Sequence, residues 1–321
     1  MPASGVEHLT RLEASQIREV MALVDAVADA DGVAPLSEHV LLHLRYGGDE
    51  PTHHLLLRVD DGELAGYAHL DVTDEVAGSS AELAVHPRHR REGYATRLVE
   101  ALIDIVGTGR MRLWAHGENP GAARLAERMG FRKARVLWQM RRSLHAALPQ
   151  PQIPEGVAMR TFEPGRDEEE FLAVNNRAFA DHPEQGKWTI DDVLTREREP
   201  WFDPSGFFLA ERDGRIVGFH WTKTHGSDPS AAGGQGTHGH GHEPIGEVYV
   251  VGVDPSAQRI GLGPALTLVG LRHLRARGLP QVMLYVDESN TNAIRVYERL
   301  GFTRWDVDIS YRRDNGAPPT P

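Results

Sequence analysis

Cysteine is absent from all 321 residues. That absence excludes disulfide bonds, thiolate zinc sites and a cysteine nucleophile together. Long apolar runs are also missing: none approaches the ~18 residues that a membrane helix needs. The first residues, MPASGVEHLTRLEASQ, do not follow the charged-then-apolar order of a signal peptide. The expected location is therefore the cytoplasm. Positive charge is in deficit, with 35 basic against 46 acidic residues and a formal net charge of -11. This works against non-specific nucleic-acid binding, because phosphate contacts need clustered Lys and Arg. The expected partner is a small molecule, with no nucleic acid and no membrane, and the expected state is a monomer.

What the chain does contain is ordinary globular material, 40% hydrophobic and 25% charged. Its length suits two domains. Residues 146–156, AALPQPQIPEG, carry three prolines and no amphipathic period, which marks a linker. The expected organisation is an N-terminal domain over 1–145, the linker, a C-terminal domain over 157–313 and a frayed tail over 314–321.

The two parts repeat one another. DGELAGYAHL from Asp61 and DGRIVGFHWT from Asp213 both read as β-hairpins turning on Asp-Gly. LAVHPRHRREGYATRLVEALI from Leu83 and VGVDPSAQRIGLGPALTLVGL from Val251 share the order strand, Pro turn, glycine loop, amphipathic helix. RLWAHGENPGAARLAERMGF from Arg112 aligns with MLYVDESNTNAIRVYERLGF from Met283, pairing Asn119 with Asn290 and Gly130 with Gly301. The second copy also carries an insertion, Gly226 to Pro244, rich in glycine and histidine. Strands alternating with helices predict an α/β (α+β) fold, with a sheet flanked by helices in each half.

The loop QRIGLGP, Gln258 to Pro264, leads from a strand into a helix. Its glycines let successive N–H groups face one concavity, at the positive end of the following helix, which suits a pyrophosphate. RREGYA, Arg90 to Ala95, holds the matching place in the first copy. Acyl transfer to an amine requires a base for the amine and an acid for the leaving group. Glu247, six residues before Val253 on the strand, suits the base, and Tyr297, four residues before Gly301 on the helix, suits the acid. The backbone N–H of Val251 or Val253 suits the developing oxyanion. The same counts in the first copy reach Ser79 and Ala126, neither of which does acid–base work. The first domain is expected to be non-catalytic.

The Val-x-Val or Leu-x-Val strand, the glycine loop and the Asn-bearing helix ending in Gly-Phe resemble the GNAT acetyltransferase superfamily, twice over. The resemblance implies acetyl-CoA as donor, with mostly antiparallel mixed sheets. Stretches such as NNRAFADHPEQGKW, FHWTK and GEVYVVGVDPSAQRIGLG further resemble the mycothiol synthase family of tandem GNAT enzymes. That likeness implies acetylation of the cysteinyl amine of a cysteinyl-glucosaminyl-inositol pseudodisaccharide, a small-molecule thiol. It carries substrate contacts to Glu38, Glu184, Lys223, Glu247 and Tyr285. It carries acetyl-CoA contacts in the first copy to Leu83, Ala84 and Val85, and to Arg91, Glu92, Gly93, Tyr94, Ala95 and Thr96. In the second copy they fall on Val251, Gly252 and Val253, on Gln258, Arg259, Ile260, Gly261, Leu262, Gly263 and Pro264, and on Asn290, Thr291, Asn292, Ala293, Ile294 and Arg295.

Other readings are a GNAT acting on another amine (an aminoglycoside, a peptide N-terminus, a polyamine) and a non-catalytic acetyl-CoA-binding module. The retention of both Glu247 and Tyr297 argues against the module. His238, His240 and His242 alternate in the inserted loop, but no Cys or Asp completes a four-ligand set, and no metal site is expected.

Overall fold

Apolar strands and amphipathic helices alternate twice along the chain, and a computed structural model describes residues 5–46, 52–60, 62–73, 78–180, 185–225 and 244–314. The first copy runs β1 (Val6–Leu9), α1 (Ala14–Asp31), α2 (Glu38–Tyr46), β2 (Thr52–Arg58), β3 (Leu64–Asp71), β4 (Ser79–Val85), α3 (Tyr94–Val106), β5 (Arg110–His116), α4 (Pro120–Arg128) and β6 (Arg132–Ser143). The second runs β7 (Val157–Thr161), α5 (Glu168–Ala178), α6 (Ile190–Glu197), β8 (Phe207–Arg212), β9 (Arg215–His225), β10 (Ile245–Val253), α7 (Leu262–Ala276), β11 (Gln281–Asp287), α8 (Thr291–Arg299) and β12 (Thr303–Asp314). The expected hairpin at Asp213 turns with Asp213 at φ 53° and Gly214 at φ 74°, the positive angles that a tight two-residue turn demands.

The two compact units do not coincide with the two halves divided at 146–156. One unit comprises residues 1–137 and 306–321, the other residues 138–305. In the first, β1 to β4 form an antiparallel meander, β4 runs parallel to β5, and β5 pairs antiparallel with β12 from the far end of the chain, Asp308 opposite His116 through Asp314 opposite Arg110. In the second, β7 to β10 form the meander, β10 runs parallel to β11, and β11 neighbours β6 from the first copy. Each copy thus lends its last strand to the other unit. A Pro-rich segment with no amphipathic period marks where one repeat ends, but strand partners are chosen by tertiary packing, so the boundary of a unit need not follow it.

Helices cover both faces of each sheet. In the first unit, Leu98, Val99 and Leu102 of α3 pack with Leu55, Leu57 and Tyr311, while Val20, Val24 and Val27 of α1 pack with Leu56 and Tyr67 on the other side. In the second unit, Leu271 and Leu274 of α7 and Ile294 of α8 meet Val248, Val282 and Leu284. The opposite face is aromatic: Phe171 of α5 lies against Phe207, Phe219 and Trp221. Side chains alternate across a strand. Phe219 and Trp221 therefore fix the aromatic face as the one to which Lys223 and His225 belong.

Candidate active site

The parallel pairs separate early. β10 and β11 are in register only from Ile245–Glu247 against Gln281–Met283, and β4 and β5 only from Ser79–Ala81 against Met111–Leu113. Beyond those residues the backbone edge of Val251, Gly252 and Val253 faces an opening, as does that of Leu83, Ala84 and Val85. Gly252 allows close packing behind its strand, because an added Cβ would stand 2.7 Å from the Phe219 ring.

Both openings lead to the same turn. Arg91 and Gly93 have φ 71° and 88°, and Arg259 and Gly261 have φ 66° and 86°. Among the described residues only three non-glycines have positive φ, and two are these arginines. A left-handed pair separated by one residue turns backbone N–H groups toward a common point. Gly93 and Gly261 then act as the N-caps of α3 and α7 with no side-chain cap, so the N–H groups of each first turn remain available to an anion. By contrast, α4 and α8 are capped by their own Asn side chains, Asn119 Oδ1 accepting from Gly121 and Ala122 and Asn290 Oδ1 from Ala293. The donors at 91–96 and 258–264 fit a pyrophosphate, and the bare strand edges fit an amide-bearing arm. Asn290, Thr291, Asn292, Ala293, Ile294 and Arg295 form the start of α8.

Glu247 is 7% exposed and lies directly opposite Lys223 on β9 and Met283 on β11. Its neighbour Val248 packs toward α7, so alternation turns the Glu247 carboxylate to the aromatic face, with Lys223 and His225. His225 Nε2 stands 2.6 Å from Glu247 Oε2. The Lys223 ammonium lies over two rings, 4.4 Å from the centroid of Trp201 and 5.3 Å from that of Tyr249, contacts that hold a buried cation in place. Tyr285 of β11 is half-exposed, and its hydroxyl accepts a hydrogen bond from Gln139 Nε2 at 2.8 Å.

Tyr297 comes from the other face, in the α7–α8 core, with its ring edge-on to Phe302 at 5.8 Å. Burial pushes its phenol up to about 12, which keeps it a proton donor at neutral pH. Glu38 opens α2 in the first unit and is half-buried there. Glu184, His238, His240 and His242 lie outside the described residues.

One count from the sequence needs correction. The β9–β10 ladder shifts register between Val248 and Val250, leaving Tyr249 as an extra residue, whereas the β3–β4 ladder runs without a shift from Gly66–Val85 to Asp71–Ser80. The bulge displaces the count by one. The counterpart of Glu247 is therefore Ser80, which also faces Arg112 on β5 as Glu247 faces Met283 on β11. Ser80 is no more a base than Ser79, so the contrast between the units stands. Ala126, the counterpart of Tyr297, is buried in the α3 core. The buried carboxylate on β4, Glu82, is occupied elsewhere, with Ser37 N donating to it and His116 beside it at 3.4 Å.

His225 escaped sequence reasoning. Its only signal is its place two residues after Lys223 on the same strand face; its meeting with Glu247 depends on a cross-strand register.

The chain belongs to the acetyltransferase (GNAT) family, whose model matches it twice, at residues 22–131 and 170–302. Within that family it is similar to proteins called mycothiol acetyltransferase. That of Acidothermus cellulolyticus is 58% identical over 320 residues, covering 99% of this chain and 97% of the relative. That of Thermobispora bispora is 60% identical over 294 residues, covering 92% and 95%. Among solved structures, a GCN5-related N-acetyltransferase from Sphaerobacter thermophilus is 26% identical with a TM-score of 0.67, covering 97% of this chain and 96% of that one. A tandem GNAT protein from the clavulanic acid biosynthesis pathway shares the fold, with a TM-score of 0.69 at 17% identity, covering 98% and 99%.

Proposed function

We propose that this acetyltransferase moves an acetyl group from acetyl-CoA to the cysteinyl amine of a cysteinyl-glucosaminyl-inositol, the last step of mycothiol biosynthesis, and that the reaction takes place in the second unit. The observation that carries the reading is the position of Glu247: a buried carboxylate beside the point where β10 and β11 part, on the strand that leads to an uncapped, glycine-turned helix N-terminus. The acceptor follows from the resemblance to the mycothiol synthase family, which the relatives' shared name supports.

Bound acetyl-CoA supplies an activated acetyl thioester. The first turn of α7 and the loop from Gln258 to Pro264 hold its pyrophosphate, and the free edge of Val251 to Val253 aligns its amide arm. Glu247 takes a proton from the acceptor amine. An α-amino group has a reference pKa of ~7.7 to 8.0, against ~10.4 for lysine, so a carboxylate suffices near neutrality. A backbone N–H at Val251 or Val253 steadies charge on the carbonyl oxygen, and the Tyr297 O–H offers its proton to the departing sulfur. Lys223, braced by its two rings, and Tyr285 border the acceptor side and bind substrate hydroxyls; the resemblance adds Glu38 and Glu184 as substrate contacts.

The first unit keeps the anion loop and lacks both acid and base. It binds acetyl-CoA without turning it over.

The test is mass-spectrometric detection of acetylated product from cysteinyl-glucosaminyl-inositol and acetyl-CoA. Glu247→Gln should lower turnover by ~10² or more, the scale of a lost general base, with acetyl-CoA binding retained. Near-normal turnover of that variant would remove Glu247 from the role.

A further inference from the structure

Glu247 has two carboxylate oxygens in unlike surroundings. Oε2 meets His225 Nε2 at 2.6 Å, just inside the ~2.7–2.9 Å usual for a hydrogen bond from nitrogen to an ionised carboxylate. Oε1 makes no hydrogen bond among the described residues and is not among the buried polar atoms left unpartnered. One oxygen is tied and the other is open. A free glutamate side chain rotates about three bonds, and a base loses efficiency when its lone pair points away from the proton it must take. The cross-strand layout removes that freedom. His225 pairs with Ile245 in the ladder and Glu247 with Lys223, so His225 is diagonal to Glu247 on the same face, within reach of a long side chain. Lys223, straight across, has its ammonium over Trp201 and Tyr249. His225, with its side chain 35% exposed against 9% for Glu247, stands on the solvent side of the pair.

We propose that His225 is a positioning residue: its Nε2–H donates to Glu247 Oε2 and thereby aims Oε1 at the acceptor amine. An ionised carboxylate cannot donate, so the proton in this bond belongs to the histidine nitrogen. The inference rests on the base role of Glu247 and adds the group that orients it, much as a ligand or base elsewhere is oriented by its hydrogen-bond partner.

The experiment compares His225→Ala, His225→Gln, Glu247→Gln and the double variant His225→Ala/Glu247→Gln in steady-state acetyl transfer. His225→Ala should lower kcat by about 10-fold or more, the range for a lost orienting partner, with the KM for acetyl-CoA unchanged. His225→Gln, whose amide N–H reaches the same oxygen, should recover most of the loss. In the Glu247→Gln background, His225→Ala should cost less than about twofold, because residues acting as one unit are non-additive. If His225→Ala fails to fold, His225→Met, which is similar in length and has no donor, replaces it opposite His225→Gln. The inference is overturned if the donor-less variant keeps kcat within about twofold of wild type, if Gln is as slow as Ala or Met, or if the loss is undiminished in the Glu247→Gln background. Failure of the underlying reading looks different: Glu247→Gln itself would turn over normally.

Discussion

At the scale of single residues, the proposed base and acid stand on two sides of a sheet. Glu247 belongs to the aromatic face and Tyr297 to the α7–α8 face, so the parting of β10 from β11 is what allows both to serve one reaction. The raised phenol pKa, about 12, has a definite sign. The group stays protonated through neutral and mildly alkaline pH, so in the proposed reaction it is available as a donor and does not compete as a base. A thiol with a reference pKa of ~8.5 is the stronger acid, so the proposed transfer requires the thiolate to be desolvated as the phenol is, which raises its proton affinity in the same way. Tyr297→Phe keeps the ring against Phe302 and should leave the fold and both KM values near wild type, while kcat falls by ~10². A phenylalanine variant with unchanged kcat would take the acid role from Tyr297. Position alone singled out both residues in the sequence, since six residues back along a strand and four back along a helix are local counts. His225 was not legible, because what makes it matter is a bond spanning 22 positions.

At the scale of elements, the two glycine turns are a matched pair with different consequences. Gly93 and Gly261 share a left-handed backbone, and an added Cβ at either would meet no atom within 4 Å. A side chain at either position therefore costs only the left-handed strain, about 1–2 kcal/mol, and the same amount in both units. Function is what separates them. Gly261→Glu places an anion at the proposed pyrophosphate site on the α7 turn and should abolish transfer. Gly93→Glu should leave turnover largely intact and reduce bound acetyl-CoA from two per chain to one. Steady-state rates with a count of bound acetyl-CoA decide this, and loss of turnover in Gly93→Glu alone would reverse the assignment of the units.

At the scale of the whole molecule, the exchange of last strands ties the first unit to the end of the chain. β12 brings Tyr311 to the α3 core and Asp308 to His116, 3.2 Å from its Nδ1. Burial alone would lower the His116 pKa, but its hydrogen bonds to Asp308 and Glu82 overcome this and raise it to about 10. Ending the chain after Trp305 removes Asp308, and breaking such a buried pair costs about 3–5 kcal/mol. Hydrogen exchange should then show lost protection in β4 and β5 while β8 to β10 keep theirs; equal loss in both units would show that the exchanged strand is not what the first unit depends on. The sequence by itself determined the doubling, the mixed sheet-and-helix class, the two matched glycine turns and the absence from the first copy of a carboxylate and a phenol answering to Glu247 and Tyr297. These are written in local patterns, namely alternation, Asp-Gly and glycine turns and helix starts, which a short stretch of chain dictates through its own backbone preferences. Only the tertiary structure decided which copy completes which sheet, that Ser80 rather than Ser79 answers to Glu247, and that His225 holds that carboxylate. Each of these depends on register between strands far apart in the chain, and register is settled by which faces can be buried together, not by the residues of either strand alone.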